Sequence, residues 1–271
     1  MIEIKDLLDN RIELFTKYTE SMLAHIYEPE EGLFLAESMK VVTRALDAGY
    51  EPRYALIEDR FRNEVEGLFL KYPEVEVYSA PFEVLTDLTG YHMTGGILCL
   101  MQRKKLPDPV SILKGAKRIA LLENVVNPTN VGAIFRNAAA LSMDGVLLSP
   151  GCADPLYKRA VRVSMGCVFQ IPWTFMDVSG LSWPNEGMKL IKDLGFESVA
   201  MALDERAKDI NDKEIRNAEK MVVLLGSEGY GLSDETLKLC DHTVMIPMSH
   251  GVDSLNVAAT SAITFWELSA H

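Results

Sequence analysis

Polar residues of the kinds that bind ligands are concentrated in three loops in the second half of the chain. The first loop, with the helix after it, spans residues 123–140 and contains Asn130 and Arg136. Asn130 stands directly before the predicted helix, where its simplest role is that of the N-cap. Arg136 lies on the helix, and its neighbours one turn away are small: Gly132, Ala133 and Ala140. Such a cation can be approached closely by a phosphate or by another backbone, or it can form a salt bridge where the helix packs against a partner.

The second loop, residues 226–235, reads GSEGYGLSDE. Its three glycines within six residues allow a sharp turn and a close approach of the backbone to a ligand. The spacing is not G-x-G-x-x-G, which disfavours a nicotinamide dinucleotide site. Glu228 either takes part in a site or only serves the turn, and Ser233 with the two acidic residues after it is typical of a helix start.

The third loop, residues 246–260, reads IPMSHGVDSLNVAAT. Ser254 could simply cap the last helix, and Asn256 would then lie in the first turn. His250 is more readily interpreted as a loop residue than as a catalytic base. The polar groups of this loop are expected to face a ligand bound at the carboxyl ends of the strands.

These loops must be positioned by the strands that precede them. Strands and helices alternate along the whole chain, which predicts an α/β fold with a mostly parallel sheet covered on both faces. Ligands in such folds bind at the carboxyl ends of the strands. The strands are predicted at residues 33–36, 54–57, 75–78, 96–101, 119–123, 146–148, 197–200, 222–225 and 244–246. The helices are predicted at residues 38–48, 63–72, 131–141, 155–163 and 255–269, with a short one starting at Pro81.

A proline-rich, charged segment, RKKLPDPVSILKG, interrupts this alternation at residues 103–115 and marks the best domain boundary. The sequence therefore predicts two domains, residues 1–105 and 106–271. Charged residues make up 24% and apolar residues 48%, as in ordinary globular proteins. The four cysteines are scattered without metal-ligand spacing, so neither a metal site nor a disulfide is expected: Cys99, Cys152, Cys167 and Cys240.

The charge distribution bears on possible partners. A formal net charge of -12 argues at first against a nucleic-acid binder, although binding follows the local field. Two basic clusters exist, the first at Arg103, Lys104, Lys105, Lys114, Lys117 and Arg118, the second at Lys158, Arg159 and Arg162. On charge alone, a solvated linker and a solvated helix face explain them better. No apolar run reaches the roughly 18 residues of a membrane span, and the acidic, amphipathic N-terminus is unlike a signal peptide, so a cytoplasmic protein is expected.

Taken together and in this order, the three loops resemble the motifs of the SpoU (TrmH-like) family of RNA ribose methyltransferases in the SPOUT superfamily. The family's N-x-G-x-x-x-R motif matches Asn130, Gly132 and Arg136. Its Gly-x-Glu-x-x-Gly core matches Gly226, Glu228 and Gly231. Its I-P-M and S-L-N-V elements match residues 246–248 and 254–257. In one departure, Gly251 follows Met248 by three positions where the family usually has two, which predicts a changed loop conformation rather than a lost site.

The resemblance implies a SPOUT-type parallel-sheet domain with a deep trefoil knot, preceded by a small α/β substrate-binding domain that the first half of the chain resembles. It also implies a homodimer with the active site close to the dimer interface. The small residues around Gly132 are compatible with close helix packing there. The expected partner is RNA, with ribosomal RNA preferred over transfer RNA, and phosphate contacts are expected from Arg103, Lys104, Lys105, Lys158, Arg159 and Arg162.

The resemblance further implies S-adenosyl-L-methionine as methyl donor, a ribose 2'-hydroxyl as acceptor and no metal. The residues expected to hold the donor are Gly226, Ile246, Met248 and Leu255. The residues expected at the reaction centre are Asn130, Arg136, Glu228, Ser254 and Asn256. Gly226 is expected to leave room for the adenosine, and Arg136 to grip the phosphate beside the target ribose. The alternatives are a transfer RNA 2'-O-methyltransferase, a methyltransferase acting on a base or small molecule, and a non-catalytic RNA-binding protein.

Overall fold

The computed structural model describes residues 1–28, 30–89, 95–204 and 207–269. Within these residues the chain forms twelve β-strands and twelve α-helices. The strands are β1 (Ile2–Glu3), β2 (Leu33–Glu37), β3 (Pro52–Glu58), β4 (Glu76–Ala80), β5 (Ile97–Gln102), β6 (Arg118–Leu122), β7 (Gly145–Leu148), β8 (Trp173–Phe175), β9 (Glu197–Met201), β10 (Lys208–Asp209), β11 (Met221–Leu225) and β12 (His242–Met245). The helices are α1 (Glu13–Thr16), α2 (Glu20–Ala24), α3 (Met39–Asp47), α4 (Arg62–Leu68), α5 (Phe82–Thr89), α6 (Pro109–Leu113), α7 (Pro128–Ala140), α8 (Lys158–Val163), α9 (Asn185–Asp193), α10 (Lys213–Arg216), α11 (Asp234–Leu239) and α12 (Val257–Leu268).

The chain divides into two compact units. The first comprises Met1–Lys105 with Leu156–Phe169, and the second comprises Leu106–Pro155 with Gln170–His271. Residues 156–169, which the sequence analysis assigned to the second domain, therefore lie with the first unit. Aromatic packing explains this placement, because the ring of Phe169 lies 5.6 Å from that of Phe34 and 5.2 Å from that of Tyr50.

The first unit contains a five-stranded mixed sheet in the order β1-β4-β3-β5-β2. Strands β1, β3 and β4 pair in parallel, whereas β5 runs antiparallel to both β2 and β3. This unit thus departs from the mostly parallel arrangement that the alternation predicted. Alternation along the chain indicates which elements occur, but not where a later strand enters the sheet, and β5 enters between β2 and β3.

The second unit contains a seven-stranded sheet in the order β10-β12-β9-β11-β6-β7-β8, and every pairing in it is parallel. The central strands β6 and β11 are buried along their whole length and, apart from Arg118, consist of apolar residues, as expected for strands covered on both faces. The prediction of a parallel α/β domain is confirmed. Because the sheet is parallel, the loops that follow β6, β11 and β12 leave the same edge.

Two predicted helix caps are wrong. Helix α7 begins at Pro128, and its N-cap is Asn127, whose side-chain oxygen accepts from Thr129 N–H at 2.9 Å. Proline fits the first helical position because it has no N–H to leave unpaired, so the helix starts two residues before Asn130. Helix α12 is likewise capped by Asn256, not by Ser254, and Asn256 Oδ1 accepts from Ala258 N–H at 2.9 Å.

Several elements were not predicted, and they are mostly short. They include the three-residue strand β8 at the edge of the second sheet, the two-residue strands β1 and β10, and helices α1, α2, α6 and α10. Elements this short carry too few residues for a periodic pattern to develop. The nine-residue helix α9 was also missed. None of the described helices is long and apolar enough to cross a membrane.

Arg118 belongs to the sequence's first basic cluster, but the structure removes it from that cluster. It is 8% exposed, and its guanidinium donates to four main-chain carbonyls: those of Lys117, Ala218, Glu219 and Leu268, at 2.9–3.1 Å. Burial lowers the pKa of this group. Arg118 therefore connects the start of β6 to the end of α12 and to the turn before β11, and is not available to a phosphate.

Candidate active site

The second and third polar loops line a cavity of about 390 Å³ at the carboxyl edge of the second sheet. We call it the strand-end cavity. The four residues expected to hold the donor all line it: Gly226, Ile246, Met248 and Leu255. Two of the five expected reaction-centre residues, Glu228 and Ser254, line it as well.

The wall of the strand-end cavity combines apolar side chains with carboxylates. Leu203, Leu225 and Leu232 contribute apolar surface, and Glu228, Asp234 and Asp253 contribute the charges. Among the described lining residues there is no lysine or arginine. The cavity therefore suits a ligand that has an apolar part and carries positive charge.

The glycine loop after β11 is closed on itself by its backbone. Ser227 N–H donates to Gly231 O at 3.0 Å, and Gly231 N–H donates to Ser227 O at 2.9 Å. A Cβ atom on Gly226 would lie 2.1 Å from the carbonyl carbon of Gly231. Glycine is therefore needed at Gly226 so that the loop can fold back against its own stem, while the expected room for the donor at this residue stays a prediction.

Glu123, which the sequence analysis did not single out, holds the far end of this loop. Its carboxylate is 2% exposed and accepts from Ser233 N–H at 3.2 Å, Ser233 Oγ at 2.9 Å, Thr236 Oγ1 at 2.8 Å and Trp183 Nε1 at 3.0 Å. These donors come from the glycine loop, from α11 and from the segment before α9. The only signal in the sequence is an acidic residue directly after a buried strand.

A chain of side-chain hydrogen bonds links the three loops. Ala258 N–H can only donate, so the atom of Asn256 facing it is the oxygen, and Asn256 Nδ2 is left to donate. Asn256 Nδ2 donates to Glu228 Oε1 at 2.5 Å and to Asn130 Oδ1 at 3.3 Å. The structure thus brings Asn130, Glu228 and Asn256 together, with Ser254 nearby in the chain.

Asn130 is left with an unused donor. The residue is 5% exposed, and its Nδ2 has no hydrogen-bond partner among the described residues. Asn130 also lines a second cavity, of about 490 Å³, which we call the asparagine cavity; its other amide residues are Asn124 and Asn127. A buried donor without an acceptor costs about 1–3 kcal/mol, so this position favours a ligand that supplies one.

The chain is similar to known proteins over most of its length. Residues 117–266 match the model of the SpoU rRNA Methylase family. An uncharacterised tRNA/rRNA methyltransferase of Mycobacterium bovis is 37% identical over 88% of this chain and 81% of its own length. The chain belongs to the SpoU rRNA methylase family. It is therefore a member of a family of RNA methyltransferases.

A further relative is similar in sequence, and two solved structures share the fold. The mitochondrial rRNA methyltransferase 3 of Mus musculus is 25% identical over 89% of this chain and 68% of its own. The AdoMet-bound rRNA methyltransferase of Sinorhizobium meliloti has a TM-score of 0.82 at 22% identity, covering 98% of this chain and 96% of that one. The SpoU methyltransferase AviRb of Streptomyces viridochromogenes has a TM-score of 0.74 at 22% identity, covering 94% and 93%.

Arg136 of the SpoU motif does not join the other polar residues. It is exposed on α7 and lines neither cavity, and the described residues include no ion-pair partner for it. The alternative of an intrachain salt bridge is therefore not observed. Gly132, in contrast, is buried within the chain, so only part of the small-residue face of α7 is open.

The SpoU motif departure at Gly251 has a structural explanation. His250 and Gly251 both have positive φ, 61° and 72°. Two consecutive left-handed residues turn the backbone sharply, which takes up the additional residue. Met248 and Ser254 on either side still line the strand-end cavity, whereas His250 lines neither cavity.

Members of both basic clusters that lie in the first unit make contacts within it. Lys158 pairs with Glu37 at 3.4 Å, and Lys104 Nζ donates to Ala48 O at 2.6 Å and lies 4.6 Å from the ring centre of Tyr50. Arg159 and Arg162 are exposed. The four cysteines are free, and the described residues hold no cluster of His, Cys, Asp and Glu that could bind a metal.

Glu123→Ala should lower the free energy of unfolding by about 3 kcal/mol or more, because it leaves several buried donors without an acceptor. Glu123→Gln should also destabilise, since in either orientation its amide nitrogen would face an N–H group, that of Ser233 or that of Trp183, which can only donate. Glu235→Ala, on the exposed face of α11, is the matched control and should change stability by less than about 1 kcal/mol. Urea denaturation measures all three, and equal losses for Glu123→Ala and Glu235→Ala would contradict the assigned role.

Proposed function

We propose that this protein transfers a methyl group from S-adenosyl-L-methionine to a ribose 2'-hydroxyl of RNA, with ribosomal RNA as the preferred substrate. The observation that supports this most is the set of hydrogen bonds from Asn256 to Asn130 and Glu228, which joins the three motif loops beside a strand-end cavity lined by the second and third of them. The motifs are far apart in sequence, and they form one site only in this fold.

The strand-end cavity fits the methyl donor in size and in charge. Its volume of about 390 Å³ lies within the usual range of roughly 300–1,000 Å³ for small-molecule sites. Ile246 and Leu255 offer apolar surface to an adenine ring, and Asp234 and Asp253 offer carboxylates to the ammonium and sulfonium groups. When bound, the donor supplies a methyl group made electrophilic by the positively charged sulfur.

The chain's own residues orient the acceptor. Asn256, fixed by Ala258 N–H, holds Glu228 by one oxygen and leaves the other oxygen available as an acceptor. Glu228 accepts a hydrogen bond from the 2'-hydroxyl, aligns that oxygen with the methyl group and takes up the hydroxyl proton as the new O–C bond forms, and Asn130 Nδ2 donates to the same nucleotide. Orientation of this kind accounts for a large part of catalysis when both reactants are held in line.

Arg136 completes the site from a second copy of the chain. It lies outside both cavities of its own chain, and the adjoining helix α12 exposes Ile263 by 40% and Trp266 by 60%. Helices α7 and α12 are joined by Asn137 Nδ2, which donates to Ala258 O and Ser261 Oγ at 2.9 Å each. We propose that these helices form a homodimer interface through which Arg136 reaches the phosphate beside the partner's target ribose.

The preference for ribosomal RNA is supported by the family description and by relatives named as rRNA methyltransferases. Transfer RNA is the second candidate, because other relatives are named tRNA/rRNA methyltransferases. Phosphate contacts are proposed for Arg159 and Arg162 of the second basic cluster, which are exposed. The ordered Asn130–Asn256–Glu228 hydrogen bonds favour an enzyme over a binding protein that has only kept the fold.

The proposed reaction is tested by incubating the protein and donor with ribosomal RNA and with transfer RNA from cells that lack the protein. Digestion to nucleosides and mass spectrometry should show a 2'-O-methylated nucleoside in the ribosomal fraction. A methyl group on a base would contradict the ribose assignment. Methylation of transfer RNA alone would reverse the proposed substrate preference. Donor binding without transfer to any RNA would favour the non-catalytic alternative.

Leu255→Glu should weaken donor binding about tenfold or more, because it places a further carboxylate on an apolar wall that faces the adenine ring. Val252→Glu is the matched control: it lies in the same loop, is 51% exposed and does not line the cavity. Calorimetric titration of donor into each variant, without RNA, gives the two affinities. Equal affinities would place the donor elsewhere.

Arg136→Ala should fold and bind donor nearly as the unchanged protein does, while single-turnover methyl transfer falls by about 10²–10⁴-fold. Arg136→Lys should rescue little, since an ammonium cannot reproduce the planar two-pronged grip on a phosphate. Thermal melts of the same samples separate this result from a structural role. A lower melting temperature with an unchanged rate would contradict the proposal.

Mixing Arg136→Ala chains with Asn256→Ala chains tests whether Arg136 acts across the dimer. In a mixed dimer, one site combines the intact Arg136 of one chain with the intact Asn256 of the other, so about a quarter of the activity should return after random exchange. If both residues act within one chain, no mixed dimer has an intact site and activity stays lost.

A further inference from the structure

The asparagine cavity beside the strand-end cavity has a lining of unusual chemistry. Three asparagine side chains and two serines line it, and its single charged lining residue among those described is Glu228. The described lining residues include no lysine or arginine. A phosphate would therefore meet no cation there and would be repelled by Glu228, whereas a neutral polar ring would be accepted.

The asparagines present hydrogen-bond donors. Asn127 Oδ1 is occupied by Thr129 N–H, and Asn130 Oδ1 is occupied by Asn256 Nδ2. Asn124 Oδ1 packs against the backbone of Gly151, since a Cβ built there would lie 2.1 Å from this oxygen. The amide nitrogens of all three remain without an acceptor among the described residues, and that of Asn130 is buried.

An aromatic side chain stands at the mouth of both cavities. Tyr230 lies at the tip of the closed glycine loop, lines the asparagine cavity and the strand-end cavity, and is 97% exposed. Proteins that bind unpaired RNA stack splayed-out bases on aromatic rings of this kind. Glu228 also lines both cavities, so a base stacked on Tyr230 would lie close to the ribose that Glu228 orients.

We propose that the asparagine cavity binds the base of the target nucleotide, that Tyr230 stacks on this base, and that the amide donors select a base with a carbonyl oxygen at C4 of a pyrimidine or C6 of a purine. Uracil, with O4, and guanine, with O6, provide that acceptor. Adenine and cytosine present an amino group at the same position and would set donor against donor. This inference rests on the proposed function, because the ribose and base belong to one nucleotide.

The first test identifies the base in the methylated product. The enzyme is incubated with donor and ribosomal RNA from cells lacking it, and the digest should contain 2'-O-methyluridine or 2'-O-methylguanosine. A product that is only 2'-O-methyladenosine or 2'-O-methylcytidine would overturn the base selection while leaving ribose methylation intact. Absence of any transfer would overturn both proposals.

The second test replaces one hydrogen-bond donor of the cavity by an acceptor and keeps the helix cap. Asn127→Asp keeps the oxygen that caps α7 and replaces the amide nitrogen by an acceptor, whereas Asn127→Ser keeps a capping oxygen and removes the donor. The substrates are RNA fragments that contain the mapped target nucleotide, made with each of the four bases at that position. The unchanged enzyme should favour the uracil or guanine fragment over the adenine and cytosine fragments by about 10- to 100-fold in kcat/KM.

Asn127→Asp should reduce or reverse the preference for the uracil or guanine fragment, and Asn127→Ser should only reduce it. A ratio of kcat/KM values that is unchanged in both variants would remove Asn127 from base selection.

Tyr230→Ala should raise the KM for RNA about 5- to 100-fold. Tyr230→Phe, which keeps the ring, should leave this KM within about twofold of its original value. Equal effects of the two tyrosine substitutions, or none from either, would contradict stacking.

Discussion

The site depends on one buried carboxylate. Glu123, at the end of β6, could not remain charged inside the protein unless donors surrounded it, and Ser233, Thr236 and Trp183 supply them. The hydrogen bonds from Ser233 to this carboxylate fix the position of the end of the glycine loop. The Ser227–Gly231 pairing fixes where the loop turns back. With both ends held, a segment containing three glycines presents Glu228 and Tyr230 in defined positions.

Hydrogen bonds made by the side chain of Asn256 orient the polar residues of the three loops. The N-terminus of α12 fixes the orientation of Asn256, which in turn fixes Glu228 on the glycine loop and Asn130 on α7. Each of the three loops thus contributes one member to a single set of hydrogen bonds. The direction of every bond follows from one backbone N–H that can only donate, so the set leaves Asn130 Nδ2 as a donor and the second oxygen of Glu228 as an acceptor.

Much of this organisation is predictable from sequence, and the exceptions have physical reasons. Buried runs such as β6 and β11 identify the parallel sheet, and the motif residues identify the loops that leave its carboxyl edge. The caps of α7 and α12 could not be assigned, because Asn127 and Asn130, or Ser254 and Asn256, are equally good capping residues. The reason for Gly226 was also hidden, since its neighbour Gly231 is brought near only by the folded loop. Arg118 looked like a surface cation because sequence carries no measure of burial.

The hydrogen bond from Trp183 to Glu123 has an optical consequence. An indole N–H that donates to a buried carboxylate lies in a strong local field, and the emission of an indole depends on the field and polarity around it. The same carboxylate oxygen also accepts from Ser233, where the glycine loop ends. The fluorescence of Trp183 therefore reports, without an added label, on the carboxylate that holds the end of the glycine loop.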